Sequence, residues 1–555
     1  IHCDGRKPVC EWCQHRHLQC TFVLPHRINR NISSKKLREP EDERVKKGSR
    51  SSTTRRYDVA DLKLSQSLGK VCDKDESTFT FVGDTSESSE TTIFELLDAL
   101  QASLYKSILS PSCQKWMERC TVERTWGIML PGFHLCPHYP NVDLKAVLIE
   151  ARELLPRALV QKCLHLYNSS QIALSFPIID SIRFQATIDA FFKGEARCTS
   201  EACVFAFAAF IASHFPEISL LLDVERCDLV ARSFIPEILS QPTSLEGLQT
   251  ILLLAIGRGC SGDYDAIHAY MDIAGRMTCS LGGHMNSKTH SRTLFWLTYF
   301  LDTDLAILIG RTPAIVDEDC DLTLPELYSE ITVHLDADSQ PFPSDLRLSL
   351  IKSKIFSLLY SNSARKASSA EIIRVVRELD KELEEWRVSL PTEHRPSLSR
   401  RNHAPCMKIR WIFIQSEYIR CINTIHAATS RCIAWAKNNN NLEALSSSLA
   451  VSIEASRAYL LFLDSVPGQN IPFASYWVFS FYVMGTSLML FYNILLDPVH
   501  IRASQDLELI DKATIVLDRF PSKLVHGNAA EKTQFKHCFA ELSSLANKAI
   551  VAASQ

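Results

Sequence analysis

Four cysteines near the start of the chain carry the sharpest chemistry in the sequence. Cys3, Cys10, Cys13 and Cys20 follow the spacing C-x6-C-x2-C-x6-C. Thiolates two residues apart, as at Cys10 and Cys13, can bite one Zn²⁺ with near-tetrahedral geometry. Asp4-Gly5 followed by Pro8 makes a tight turn that folds Cys3 back toward Cys10. A metal site is favoured over four unrelated thiols that happen to be close. Basic residues lie among and just after these cysteines. Arg6, Lys7, Arg16, Arg27 and Arg30 are candidates for phosphate contacts, which position a protein on nucleic acid without specifying sequence. A solvated, charged linker is the competing reading of the same five residues.

The charge distribution fits such a partner. Residues 1–57 carry 14 Lys+Arg and 6 Asp+Glu, a net of +8, whereas the whole chain has a formal net charge of −3. A basic head on an acidic body points to an anionic partner for the head, such as nucleic acid. Residues 24–57 are polar and basic and cannot bury a core, so they are expected to be a flexible linker. Its pairs Lys35-Lys36, Lys46-Lys47 and Arg55-Arg56 also suit a nuclear import signal. The chain holds 19 cysteines, an odd number spread thinly over 555 residues, which argues for a reducing compartment rather than a secreted disulfide framework. Hydrophobic residues make up 46% and charged residues 22%, values that exclude disorder of the whole chain.

The elements that must carry this head are helices. Ile93, Leu96, Leu97, Leu100, Leu104 and Ile108 begin an i, i+3, i+4, i+7 pattern. Residues 58–92 stay polar apart from Phe79-Thr80-Phe81-Val82, a candidate strand. Residues 110–142 read as irregular packed structure. From 143 onward nearly every segment is helical in pattern, with long examples at 367–391, 405–438, 442–465, 473–496 and 528–552. Ile267, Tyr270, Met271 and Ala274 mark one apolar face, and Leu297, Leu301, Leu305 and Leu308 another. The expected organisation is a partial zinc module at 1–23, a largely flexible basic and polar linker at 24–92, and a mainly all-α regulatory domain at 93–555. Phe473–Leu496 is free of charge and long enough to span a bilayer. It also holds many Ser, Tyr and Thr residues and no flanking Lys/Arg cluster, so a buried core helix is expected and no membrane.

The cysteine spacing resembles the second part of the fungal binuclear zinc cluster, the six-cysteine DNA-binding module of fungal transcription regulators. Cys3, Cys10, Cys13 and Cys20 fall on its third to sixth cysteines, and Asp4, Gly5 and Pro8 on its loop. The resemblance implies two Zn²⁺ per complete cluster, with Cys10 bridging them. The family's first two cysteines, and the basic helix that enters the major groove, have no counterpart before Cys3. A truncated start is therefore expected, with an incomplete cluster and weak DNA binding in the chain as given.

A second resemblance lies in the body. Phe79-Thr80-Phe81-Val82-Gly83-Asp84-Thr85 looks like a short element that precedes the regulatory domain of these regulators. Ala274-Gly275-Arg276-Met277 through Leu281-Gly282-Gly283-His284 is similar to a helix of that domain. The best match is Arg292-Thr293-Leu294-Phe295-Trp296 through Tyr299, Leu301 and Asp302, then Gly310-Arg311-Thr312-Pro313, then Asp317, Asp319, Asp321 and Leu324-Pro325. It covers roughly 143–500. Thr303 stands where the family usually has Arg, and Thr312 is an extra residue before Pro313, so a local polar contact of the family is expected to be missing. Taken for themselves, Phe295, Trp296 and Tyr299 read as core residues, and Gly310 and Pro313 as a helix end.

Enzyme readings are weaker. Gly257-Arg258-Gly259-Cys260-Ser261-Gly262 fits G-x-G-x-x-G after an apolar run. A dinucleotide site also needs an acidic residue about 20 positions on. None occurs between Ile273 and Leu301, and a helix–loop–helix is the better reading. His134, Cys136 and His138 read as a packed loop before a metal site, and Asp317, Asp319 and Asp321 as a helix-flanking loop before a cation site. The sequence thus implies a nuclear, sequence-specific, zinc-dependent DNA-binding regulator and no enzyme. Its implied partners are double-stranded DNA, the transcription machinery, a second copy of the chain and a small-molecule inducer. Dimerisation comes from the resemblance alone, since Leu62, Leu64 and Leu68 are too few for a heptad helix. The alternative is a truncated regulator-like protein that binds no DNA and acts through protein partners.

Overall fold

The computed structural model describes Met117 and residues 155–260, 263–285, 289–325, 342–398, 409–432, 442–468, 476–519 and 527–554. The chain divides into two units; Cys20–Thr78 lies outside the described residues, and every described residue belongs to the other unit. The described residues form helices and connecting loops, with no strand among them. Fourteen of these helices have ten or more residues. They are α1 (Arg157–Ser169), α2 (Ser181–Lys193), α3 (Cys198–His214), α4 (Val224–Ser233), α5 (Leu245–Cys260), α6 (Tyr264–Ser280) and α7 (His290–Ile309). Then come α8 (Leu346–Ile355), α9 (Ser369–Ser389), α10 (Ile409–Ala427), α11 (Leu442–Ser465), α12 (Tyr476–Leu496), α13 (Ala503–Arg519) and α14 (Gly527–Ser554).

Capping explains where several helices begin. Asp180, Asp223, Asp263 and Asp345 accept backbone N–H groups at the starts of α2, α4, α6 and α8. Ser368 accepts the N–H of Glu371 at 3.3 Å to open α9, the spacing of a capping box. Gly194 and Gly310 end α2 and α7 at φ 75° and 69°, where a side chain would be strained.

Composition decides depth. Helix α9 is amphipathic: Ile372, Val375, Val376, Leu379, Leu383 and Trp386 are buried, while Arg374–Glu378 and Lys381–Glu385 pair on its wet face. Helix α3 is apolar all round, and Ala202 through Ser213 are buried without a break. It is the axis against which α1, α2, α4 and α5 pack. Helix α12 plays the same part for α11, α13 and α14. Residues 478–496 of α12 would pass for a membrane span by length and hydropathy, yet that window is 100% buried inside the protein. The sequence expectation of a core helix there holds.

The two groups of helices meet through α7, α8 and α5. Helix α7 packs on α6 and α8, α8 on α9 and α10, and α5 touches α12. The expected faces are in place: Ile267, Met271 and Ala274 on α6, and Leu297, Leu301, Leu305 and Leu308 on α7, are all buried, and Tyr270 on α6 is partly buried against the core.

Candidate functional site

The four cysteines Cys3, Cys10, Cys13 and Cys20 and the basic residues Arg6, Lys7, Arg16, Arg27 and Arg30 lie outside the described residues, as do Phe79–Thr85, His134, Cys136 and His138. The body motifs are described, and they converge on one region around α7.

Arg292, near the start of α7, is a clamp. Its Nη1 donates to the carbonyl of Gly283 at 3.2 Å, and its Nη2 to those of Asp321 at 2.7 Å and Thr323 at 2.9 Å. The guanidinium also lies 4.8 Å from the Phe295 ring centre and 5.0 Å from that of Trp296. One buried cation thereby ties the turn after α6 to the segment that follows α7.

Two further α7 side chains hold that segment. Tyr299 donates its hydroxyl to Asp317 Oδ1 at 2.9 Å, while Ser353 of α8 donates to Asp317 Oδ2 at 2.7 Å. Asp302 accepts the backbone N–H of Ala314 at 3.1 Å and that of Ile315 at 2.9 Å. Burial pushes the Asp302 carboxyl up to about 7, against the pull of those two amides. Gly275 of α6 lets the segment approach: a Cβ there would stand 2.9 Å from the Cβ of Ala314. Gly283 is tighter, with a would-be Cβ 2.6 Å from the carbonyl oxygen of Ser291.

The motif thus reads as mechanics. Phe295, Trp296 and Tyr299 are fully buried core residues, as their own sequence context implied. Thr303 turns its hydroxyl back to the carbonyls of Tyr299 at 2.9 Å and Phe300 at 3.1 Å, so the position satisfies itself within α7. Asp317 is used by hydrogen bonds from α7 and α8, and Asp321 by one inside the segment, accepting the N–H of Thr323 at 2.8 Å. No group of His, Cys, Asp and Glu among the described residues is arranged to hold a metal ion.

Residues 257–260 of the glycine pattern belong to a helix, while 261 and 262 lie outside the described residues. Residues 245–260 are continuous α5, and Asp263 caps α6 while pairing with Arg258 at 2.6 Å. A phosphate-binding turn needs a strand before the glycines, and a helix stands there instead.

Sequence reasoning missed a buried charge cluster beneath α7. Lys352 of α8 donates to Asp304 Oδ1 of α7 at 2.7 Å and lies 3.3 Å from Glu417 Oε2 of α10. Ser344 donates to the same Glu417 oxygen at 2.9 Å, and Tyr482 of α12 donates to Asp304 at 3.3 Å. Lys352, Asp304 and Glu417 are each no more than 1% exposed. One cation faces two carboxylates, so burial pushes Glu417 up to about 8 even though Lys352 pulls it down. Burial lowers Lys352, but Asp304 and Glu417 outweigh it and hold the ammonium above its usual range. Among the described residues, Asp304 Oδ2 and Glu417 Oε1 accept no hydrogen bond. The cluster ties four helices together by charge as well as by packing.

Comparison with known proteins gives this region its context. Over 253 residues the chain is 30% identical to an ABC-transporter-regulating transcription factor of Aspergillus fumigatus, covering 42% of this chain and 27% of that protein. It is 28% identical over 236 residues to the Fusaridione A cluster transcription factor of Fusarium heterosporum, covering 39% and 43%. It is 24% identical over 268 residues to an uncharacterized transcriptional regulatory protein of Schizosaccharomyces pombe, covering 44% and 34%. The match spans about a quarter of the length of the Aspergillus relatives, at 27%. No solved structure matches the chain. Residues 202–388, from α3 to the end of α9, match the fungal specific transcription factor domain, and the relatives are regulators of transcription rather than enzymes.

Proposed function

We propose that this protein is a nuclear, sequence-specific regulator of RNA polymerase II genes that binds double-stranded DNA through a zinc-dependent N-terminal module. The observation that carries the reading is the order of two independent signals: the cysteine run Cys3, Cys10, Cys13 and Cys20 ahead of a segment, 202–388, matching the fungal specific transcription factor domain. Either alone is weaker. The basic stretch to residue 57 supplies the charge that DNA attracts.

The thiolates of Cys3, Cys10, Cys13 and Cys20 are assigned to zinc, which would hold the module's fold; the chain's own Arg6, Lys7, Arg16, Arg27 and Arg30 would engage phosphates. The helical body would act as the regulatory domain and face the transcription machinery. Its α6–α7–α8 region, stitched by Arg292, Tyr299 and Asp302, supports a scaffold whose 310–325 segment keeps one defined position.

The test is selection of bound fragments from a random DNA library by the protein purified from its native cells, with and without a zinc chelator. Enrichment of a short motif that the chelator abolishes is expected. No enrichment, together with recovery of protein partners in the same preparation, would replace this reading with one of action through those partners.

A further inference from the structure

A cleft of about 420 Å³ opens between the 317–322 segment, α8 and α9, a size that suits a small organic ligand. Its apolar wall is Leu322, Leu350, Ile351 and the indole of Trp386. Its polar wall is Asp317, Glu382 and Glu385 against Arg347 and Lys354.

The two cations of this wall are already matched. Arg347 Nη2 lies 2.6 Å from Asp345 Oδ2, its Nε lies 3.0 Å from the same oxygen, and its Nη1 donates to Ser389 at 3.0 Å. Trp386 Nε1 donates to that Asp345 oxygen at 3.1 Å, which fixes the indole as part of the wall. Lys354 donates to Glu382 at 2.6 Å. An anionic ligand would have to break one of these pairs. Asp317 differs: its oxygens take only the neutral hydroxyls of Tyr299 and Ser353, and no Lys, Arg or His among the described residues pairs with it. Glu385 has only the exposed Lys381 at 3.5 Å. The cleft therefore combines an aromatic and aliphatic wall with a carboxylate whose charge no neighbour neutralises.

We infer that this cleft is a binding site for a small organic cation with an apolar, flat body, its charged group on Asp317 and its body against Trp386, Leu350 and Ile351. A cation there gains the carboxylate, while its apolar body is covered by the aromatic and aliphatic wall. Because Asp317 is held by α7 and α8 while Trp386 belongs to α9, an occupant would join three parts of the matched domain. The inference deepens the regulator reading by naming a ligand class and a place for it.

The experiment uses the full chain and two dyes of similar ring size. Rhodamine 6G is the cationic probe and fluorescein the anionic one, each followed by fluorescence anisotropy. Rhodamine 6G is expected to bind at least tenfold more tightly than fluorescein. Asp317→Asn is expected to weaken rhodamine 6G by about tenfold, the loss of one charge-assisted contact. Glu385→Gln, at an exposed position whose ion pair is with the exposed Lys381, is expected to weaken it by a few-fold at low salt, and circular dichroism melts check that both variants fold. Equal binding of the two dyes, or rhodamine 6G binding unchanged in both folded variants, overturns the inference. DNA selection is a separate readout, so either result leaves the regulator reading to its own test.

Discussion

The Asp302 carboxylate accepts the backbone N–H of Ile315 at 2.9 Å across thirteen residues of chain. Its other oxygen takes the N–H of Ala314. This one side chain fixes the direction in which the chain leaves α7. Asp302→Ala leaves two amides without their acceptor in a buried place and is expected to cost about 2–4 kcal/mol, read as a lowered denaturation midpoint. Asp302→Asn, which keeps one acceptor oxygen, is expected to recover part of that loss.

The glycines near the motif make a graded prediction. Gly283→Ala sets a Cβ 2.6 Å from the Ser291 carbonyl oxygen, a backbone atom that cannot step aside. Gly275→Ala meets the Ala314 methyl at 2.9 Å, which a small shift of the segment can relieve. The expected order of destabilisation is Gly283→Ala above Gly275→Ala, the second near 1 kcal/mol. Gly257→Ala faces open space inside α5 and is expected to be neutral or to stabilise by up to about 1 kcal/mol. Thermal melts of the three variants give the ranking, and a large loss for Gly257→Ala would speak against the helix there.

The buried cluster predicts a pH signature. Glu417 is pushed up to about 8 in the folded chain, whereas an unfolded chain releases that proton near 4.5. Between these values the folded state holds a proton that the unfolded state has lost, so this group's contribution falls as pH rises and levels off above about 8. Asp302, raised for the same reason, acts in the same direction up to about 7. Comparison of wild type with Glu417→Gln isolates the first group. The variant is expected to gain on wild type steadily from pH 5 to pH 8 in melting temperature; a constant difference would show that Glu417 is ionised throughout.

Lys352→Met tests the same cluster from the other side. It leaves Asp304 and Glu417 buried together without their cation, a change expected to cost about 3–5 kcal/mol at neutral pH. At a pH where Glu417 is ionised, addition of Glu417→Gln to Lys352→Met removes one of the two charges. It is expected to restore part of the loss, the coupling that a double-mutant cycle reads.

Much of this fold was legible because apolar spacing reports local geometry. The faces of α6 and α7, the amphipathic α9 and the all-apolar α12 could be named from the periodicity of their own residues, and Gly310 from its place after the last apolar turn. The buried charges were not legible. Lys352, Asp304 and Glu417 are polar letters in helices, and such letters normally face water; only the meeting of α7, α8 and α10 puts them inside. Arg292 was visible as part of a motif, but not its partners, since three of its acceptors are backbone carbonyls that any residue could supply. Helix α13 was not singled out, and its buried Asp506 is matched by Arg457 and Asn493 from α11 and α12, contacts no local pattern announces.

The central claim joins a zinc-built DNA-binding module to this helical body. Its most direct test is the zinc content per chain of the protein purified from its native cells, with Cys10→Ser as the comparison. The account predicts two tightly held zinc ions per chain, with the native protein supplying the two further cysteines that a complete cluster needs, and their loss in the variant along with DNA binding. Zinc that is absent or substoichiometric in the native protein, or unchanged by Cys10→Ser, would contradict it.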